Sequence, residues 1–401
     1  MNLRPFWVVV HRYAGLAMTV FLVIVGLTGS LLAFYHELDS WLNPAFSAPA
    51  GNRPRMGLPS ILERVETLAP NARFQSVSLS DDAVEVWVAP KTNPLDGKPY
   101  ALDFDQLLLN PYNGDELGRR KWGDIGQGLT NLLPFVYRLH YALALGEIGG
   151  WILGITALVW TLDSFVGCYL TLPPSRRCRG NAGQAVLAAL GSGLEDQMAR
   201  LRLSDQFRSA PRRRPMVMAV AAGVRLVQRL HEPERQRLCA GDADAGRRIP
   251  RTVLDFPDLD KPLENPAIAW RDAYRIAGEL MEQATHAHGV SIEKPVSFRY
   301  NAEKGFYVYV ARSGADIQDK GGDTRLVLDA TTGAQKLLLF PSGQYAGNTV
   351  SSWLAALHTA NVFGMPYRIL VCTLGLAIVM LAVTGVVIWL KKRRARLAKA
   401  A

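Results

Sequence analysis

Three stretches of this chain are too long and too apolar for a small water-soluble domain. They are Phe6–Tyr35, Trp151–Leu172 and Ile369–Leu390. A helix needs about 20 apolar residues to cross a bilayer, so each reads as a membrane span. The first carries His11 and Arg12 and has no small-residue cleavage site. It therefore reads as a retained anchor and not as a removed leader.

Basic residues then orient the spans. Arg4 and Arg12 hold the N-terminus in the cytoplasm, "SRRCR" follows the second span, and "KKRRARLAK" marks a cytoplasmic tail. Three crossings that start inside end outside, so the charges require a fourth between Leu172 and Ile369. That territory is unusual: residues 175–251 hold 16 Arg and no Lys. Its apolar core, "VMAVAAGVRLV", is too short to span and is interrupted by Arg225 and Arg229. One reading is a cytoplasmic Arg-rich insertion. The preferred one is that residues 174–250 are written one nucleotide out of frame. A Met codon followed by Val or Ala then shifts to Trp, as at Met198, Met216 and Met218. With permissible codons the shifted text reads as a fourth span opening on "HRAGGL"; a His in place of Ala210 is allowed by the code but not forced. The nucleotide sequence tests this, since a stop codon in the shifted frame rules it out.

The net charge of +10 sits at the chain ends and in this middle stretch, which marks cytoplasmic segments and not nucleic-acid binding. The four Cys, at 168, 178, 239 and 372, have no metal-ligand spacing, so neither a disulfide framework nor a zinc site is indicated.

The chain repeats itself. "LHYALALGEIGG" begins at Leu139 and "LHTANVFGMPYR" at Leu357, each with its His 11 residues before a span. With "HRYAGL" at His11–Leu16, the plan is two tandem halves, each a span, an outside module, a Leu-His motif and a span. Parallel repeats of this kind place shared sites at the repeat interface. Each module reads as a helix followed by short strands. In the first, the helix is 59–70, the strands are 74–80, 83–90 and 99–105, and an Asn-Gly turn occupies 110–117. In the second, the helix is 270–289, the strands are 295–301, 304–312 and 324–330, and the turn is 331–337.

"FWVVVHRYAGL", "GLTGSLLAFYHELDSWLNP" and "GCYLTLP", with the two helix–strand–turn modules, resemble the PepSY-associated transmembrane family. The resemblance covers nearly the whole chain apart from about 174–250. It implies a helical membrane bundle, with four spans expected and three visible, two small periplasmic α+β PepSY-like modules and a pseudo-two-fold tandem repeat. The expected segments are 1–36 (span), 37–130 (module), 131–173 (His segment and span), 174–250 (cytoplasmic segment and third span), 251–350 (module), 351–391 (His segment and span) and 392–401 (tail). Some members of the family are inner-membrane siderophore reductases, ferrioxamine-type among them, that carry two b-type hemes.

Neutral imidazole is a common axial heme ligand. His140 and His358 hold equivalent places in the two halves and pair as ligands of an outer heme. His11, an ionisable group inside a span, is a functional candidate in its own right. It pairs with the His expected at 210 as the inner site. His36, about 37 Å along an ideal helix from His11, is an alternative outer ligand or lines an electron exit path. Arg12, Arg138 and Arg368 either pair with heme propionates or reach lipid headgroups. Asp163, inside the second span, faces a polar interior with a partner unknown. His286 and His288 read as solvated surface residues. Trp87, Tyr100, Phe306 and Tyr307 read mainly as packing residues and secondarily as ligand contacts.

The expected activity is reduction of a periplasmic ferric siderophore, releasing Fe(II), by electrons from a cytoplasmic or quinol donor. The expected location is the bacterial inner membrane, with both termini cytoplasmic. No Rossmann glycine fingerprint is present, so no built-in nucleotide site is expected. The alternative is a non-enzymatic, membrane-tethered PepSY protein that binds or regulates a peptidase. A permease is disfavoured, because four spans with few intramembrane charges form a poor pathway.

Overall fold

The computed structural model describes residues 3–49, 54–172 and 256–400. Residues 174–250, where a shifted reading frame and a fourth span are expected, lie outside the described residues. In chain order the helices are α1 (Arg4–Leu32), α2 (Tyr35–Leu42), α3 (Leu58–Leu68), α4 (Leu132–Ala142), α5 (Gly146–Thr171), α6 (Trp270–Ala287), α7 (Ala346–His358) and α8 (Gly364–Ala400). The strands are β1 (Ala72–Leu79), β2 (Val84–Pro90), β3 (Gln106–Leu109), β4 (Glu116–Arg120), β5 (Ile292–Asn301), β6 (Phe306–Ser313), β7 (Thr324–Asp329) and β8 (Gln335–Leu339). The chain divides into two compact units.

Among the described residues the first unit comprises 3–30, 141–172 and 372–400. Most of α1, all of α5 and the greater part of α8 belong to it, and these three helices are long and apolar enough to cross a membrane. Val20, Ile155, Phe165 and Met380 are exposed on them, as side chains solvated by lipid are. Helices in lipid pack through small residues that let backbones touch. Here α1 meets α8 at Gly26, Ser30 and Gly375. A Cβ on Gly375 would fall 2.8 Å from the Gly26 carbonyl oxygen and 2.3 Å from Ser30 Oγ. Ser30 Oγ donates across the contact to the Cys372 carbonyl at 3.0 Å. The Arg4 guanidinium caps α5 by donating to the Leu170 and Leu172 carbonyls at 2.7 and 3.0 Å, groups a helix end leaves unsatisfied.

Among the described residues the second unit comprises 31–49, 54–140 and 256–371. Its centre is one antiparallel sheet of order β4-β3-β2-β1-β5-β6-β7-β8. The two modules therefore share a sheet. They join through β1 and β5, with Ser76 opposite Arg299, Val77 opposite Phe298 and Ser78 opposite Ser297. Helices α3 and α6 pack on it through Ile61, Leu62, Val65, Ala273, Ala277 and Met281 against Val77, Phe298, Tyr307 and Leu328. Burying a large apolar side chain there stabilises the fold by about 1.5–3 kcal/mol.

The strand expected over 99–105 is not formed. Pro99 lacks the ladder donor, and the Asp105 carboxylate instead accepts from the Trp122 backbone N–H at 2.7 Å. Its place is taken by β3, "QLLL", buried along its whole length. The first expected span also ends early. After Leu32 the chain turns, and Tyr35 begins α2.

Candidate functional site

His140 lies two residues before the end of α4, and His358 is the last residue of α7. The two rings face each other with centroids 6.1 Å apart and planes 28° from parallel. Two imidazoles bound to one metal ion at about 2 Å each have centroids roughly 6 Å apart, so the spacing of this pair is compatible with both rings reaching one metal ion. Burial lowers the His140 pKa to about 4, which keeps its ring neutral and its lone pair available near pH 7.

The chain takes the same course after each histidine. Six residues on stands a glycine in the left-handed region, Gly146 (φ 63°) and Gly364 (φ 64°), and each begins a span. Leu143 (φ 51°), Ala144 (φ 57°), Ala360 (φ 54°) and Phe363 (φ 61°) share that conformation. It costs a side-chain-bearing residue about 1–2 kcal/mol. These left-handed residues end α4 and α7 and separate each histidine's helix from the span helix that follows.

The second turn is held by the loop between β6 and β7. Asn361 Nδ2 donates to the Lys320 carbonyl at 2.9 Å and to Gln318 Oε1 at 3.1 Å, while its Oδ1 accepts from the Lys320 N–H at 3.0 Å. The Asp319 carboxylate accepts from the Gly364 N–H at 2.7 Å. Neither Asn361 nor Asp319 was singled out from the sequence, and only the asparagine beside a histidine motif hints at them. Arg368 is committed to protein partners. It forms a two-pronged pair with Glu37 at 2.6 and 2.7 Å and donates to the Ala33 carbonyl at 2.8 Å. Hydrogen bonding from Arg368 lowers the Glu37 pKa to about 2. Arg138 donates to the Gly123 carbonyl at 3.0 Å.

His36 stands on the first turn of α2, exposed, with its ring edge-on to Tyr35 at 5.7 Å. His288 Nδ1 lies 2.8 Å from the Ala284 carbonyl, its ring against Phe340. Phe306 and Tyr307 are core residues at 0% and 1% exposure. Trp87 packs edge-on against Trp122 at 5.8 Å.

His11 occupies the other unit. Its Nδ1 lies 2.9 Å from each carboxylate oxygen of Asp163. The partner Asp163 lacked in the sequence is therefore His11, across 152 positions. A signal existed: His11 lies seven residues into α1 and Asp163 eight before the end of α5, so antiparallel spans place them at one depth. His11 supplies one imidazole. The second expected for an inner site lies outside the described residues.

A separate cavity of about 270 Å³ opens where the two halves of the sheet meet, walled by Phe74, Trp270, Tyr300 and Tyr307 with Arg73 and Lys91 at its edge.

Comparison with known proteins yields one finding about kinship. The profile of the PepSY-associated TM region matches residues 8–190 and again 191–392, nearly the whole chain in two copies. No curated protein matches the chain. The double match agrees with the tandem plan of paired histidines and paired turns, and the chain belongs to the family of the PepSY-associated TM region.

Proposed function

We propose that this membrane protein is a heme electron-transfer protein of the bacterial inner membrane that reduces a periplasmic ferric siderophore and so releases Fe(II). The observation that carries the reading is the His140–His358 pair, equivalent residues of two repeats with facing rings 6.1 Å apart. His140 and His358 would hold one heme b, and His11 would provide one ligand of a second. A bound heme b supplies a one-electron Fe(III)/Fe(II) couple whose potential follows its ligands and their hydrogen bonds. The chain's part is to keep the His140 imidazole neutral by burial, to place both rings beside the two left-handed turns, and to hold the second turn through Asn361 and Asp319. Electrons come from a cytoplasmic or quinol donor, and both chain termini face the cytoplasm. The apolar surfaces of the three spans match a lipid bilayer.

The test is an absorbance spectrum of the purified protein. A b-type spectrum that changes on adding dithionite, and loses part of its intensity in His140→Ala and His358→Ala, supports the reading. A colourless protein ends it. The cavity at the junction of the half-sheets favours a second reading, a membrane-tethered protein that binds or regulates a peptidase without redox chemistry. A colourless protein that still binds a peptidase would establish it.

A further inference from the structure

We propose that Asp163 is a positioning residue for His11, fixing its ring so that Nε2 is the atom offered to a metal centre within the span unit. The inference rests on the heme reading above and extends it to a residue outside the expected ligand set.

The geometry points this way for three reasons. First, both carboxylate oxygens lie 2.9 Å from the same ring nitrogen, Nδ1. A carboxylate only accepts, so Nδ1 carries the proton and the lone pair of the neutral ring is on Nε2. Second, the two side chains are differently exposed. Asp163 is buried at 8%, whereas the His11 side chain is 40% exposed, so the pair presents the imidazole and hides the acid. Third, an acidic group inside an apolar span is expensive. Neutralising a charge needs only any cation or donor, but a buried carboxylate aimed at one nitrogen of an exposed ring also sets tautomer and orientation. A carboxylate behind a ligating imidazole raises its basicity and favours the oxidised metal, which lowers the reduction potential of that centre.

The bland reading is that the pair only ties α1 to α5. Stepwise reduction of the purified full-length protein, followed by absorbance and by low-temperature electron paramagnetic resonance, separates the two. The step that disappears in His11→Ala marks the centre served by His11. Asp163→Asn keeps an acceptor of the same size without the charge. It should raise the potential of that step, shift its resonance and weaken heme retention there by about 10–100-fold. The step that depends on His140 and His358 should stay where it is. Asp163→Glu, which restores the charge, should return the potential part of the way. The proposal is overturned if Asp163→Asn lowers thermal stability yet leaves the His11-dependent step unmoved. It is also overturned if His11→Ala removes no step while the His140-dependent one persists, in which case the wider heme reading survives. A wild-type protein without heme removes that wider reading, and this one with it.

Discussion

The turns that follow His140 and His358 share a path but not a means of support. Both reach a left-handed glycine six residues on, and both hold two non-glycine residues in the same strained region. The first is braced by helix packing. Gly149 of α5 lies so near the end of α4 that a Cβ there would fall 1.8 Å from the Ala142 carbonyl oxygen. The second is braced by side chains. Asn361 and Asp319 tie it to the β6–β7 loop. The residue three after His358 is Asn361, and the one three after His140 is Leu143, which has no amide to offer. A tandem repeat can thus keep a backbone course while replacing the interactions that hold it. The first turn should be vulnerable to added volume and the second to lost hydrogen bonds.

The largest expected effect is at the first turn. Gly149→Ala forces the two backbones apart and should cost about 3 kcal/mol, the upper end for overpacking a close contact. A Cβ on its neighbour Gly150 meets nothing within 4 Å. Gly150→Ala should instead stabilise α5 by about 0.5–1 kcal/mol, through helix propensity alone. Thermal unfolding in detergent measures both, and equal effects would break the contrast. Next comes the second turn. Asn361→Leu installs the residue of the first half and removes three side-chain hydrogen bonds. At about 0.5–1.5 kcal/mol each, less what solvent restores at an exposed loop, the loss should be about 2 kcal/mol. Hydrogen exchange at residues 318–320 should rise while the first turn stays protected. An unchanged loop would show that the staple is dispensable.

These contrasts bear on what can be read from a sequence. The spans, the helices α3 and α6 and most strands follow from apolar runs and periodicity, which are local. The pairing of His140 with His358 was legible because repetition converts two local motifs into one spatial statement. The β1–β5 pairing was not. It joins residues more than 200 positions apart, and nothing in "FQSVSLS" or "PVSFRYN" names its partner. The union of two modules into one sheet therefore emerges only in three dimensions. The His11–Asp163 contact was half legible: both residues stood out as ionisable groups in spans, but depth had to be compared between helices. Left-handed Leu143 and Phe363 could not be foreseen, because their conformation is imposed by the turn and opposed by their own side chains.

Strain offers a finer test of the same comparison. Ala144→Gly relieves a left-handed alanine that is partly exposed. It should stabilise the protein by up to about 1 kcal/mol, the strain of roughly 1–2 kcal/mol less the greater freedom of glycine in the unfolded chain. Ala360→Gly relieves the same strain, but Ala360 is 3% exposed. Losing its buried methyl group costs about 0.8 kcal/mol, so the net change should be near zero. Similar gains at both sites would mean that the second turn is packed no more tightly than the first.

The smallest expected effect concerns a brace found only in the second half. Arg368 follows His358 by ten residues, where the first half has Gly150. Its pair with Glu37 lowers that carboxyl from the usual 4.5 to about 2. The folded state then binds fewer protons than the unfolded chain between those values. The stabilisation is therefore complete above about pH 4.5 and disappears as pH falls towards 2. Glu37 is 44% exposed, so solvent screening holds the contribution below about 1 kcal/mol. Glu37→Gln should lower the melting temperature slightly at pH 7 and by less at pH 3, where the wild-type carboxyl has begun to protonate. An equal deficit at both pH values would assign the brace to the packing and hydrogen bonding of the Glu37 side chain, which do not depend on its charge, and not to the charge pair.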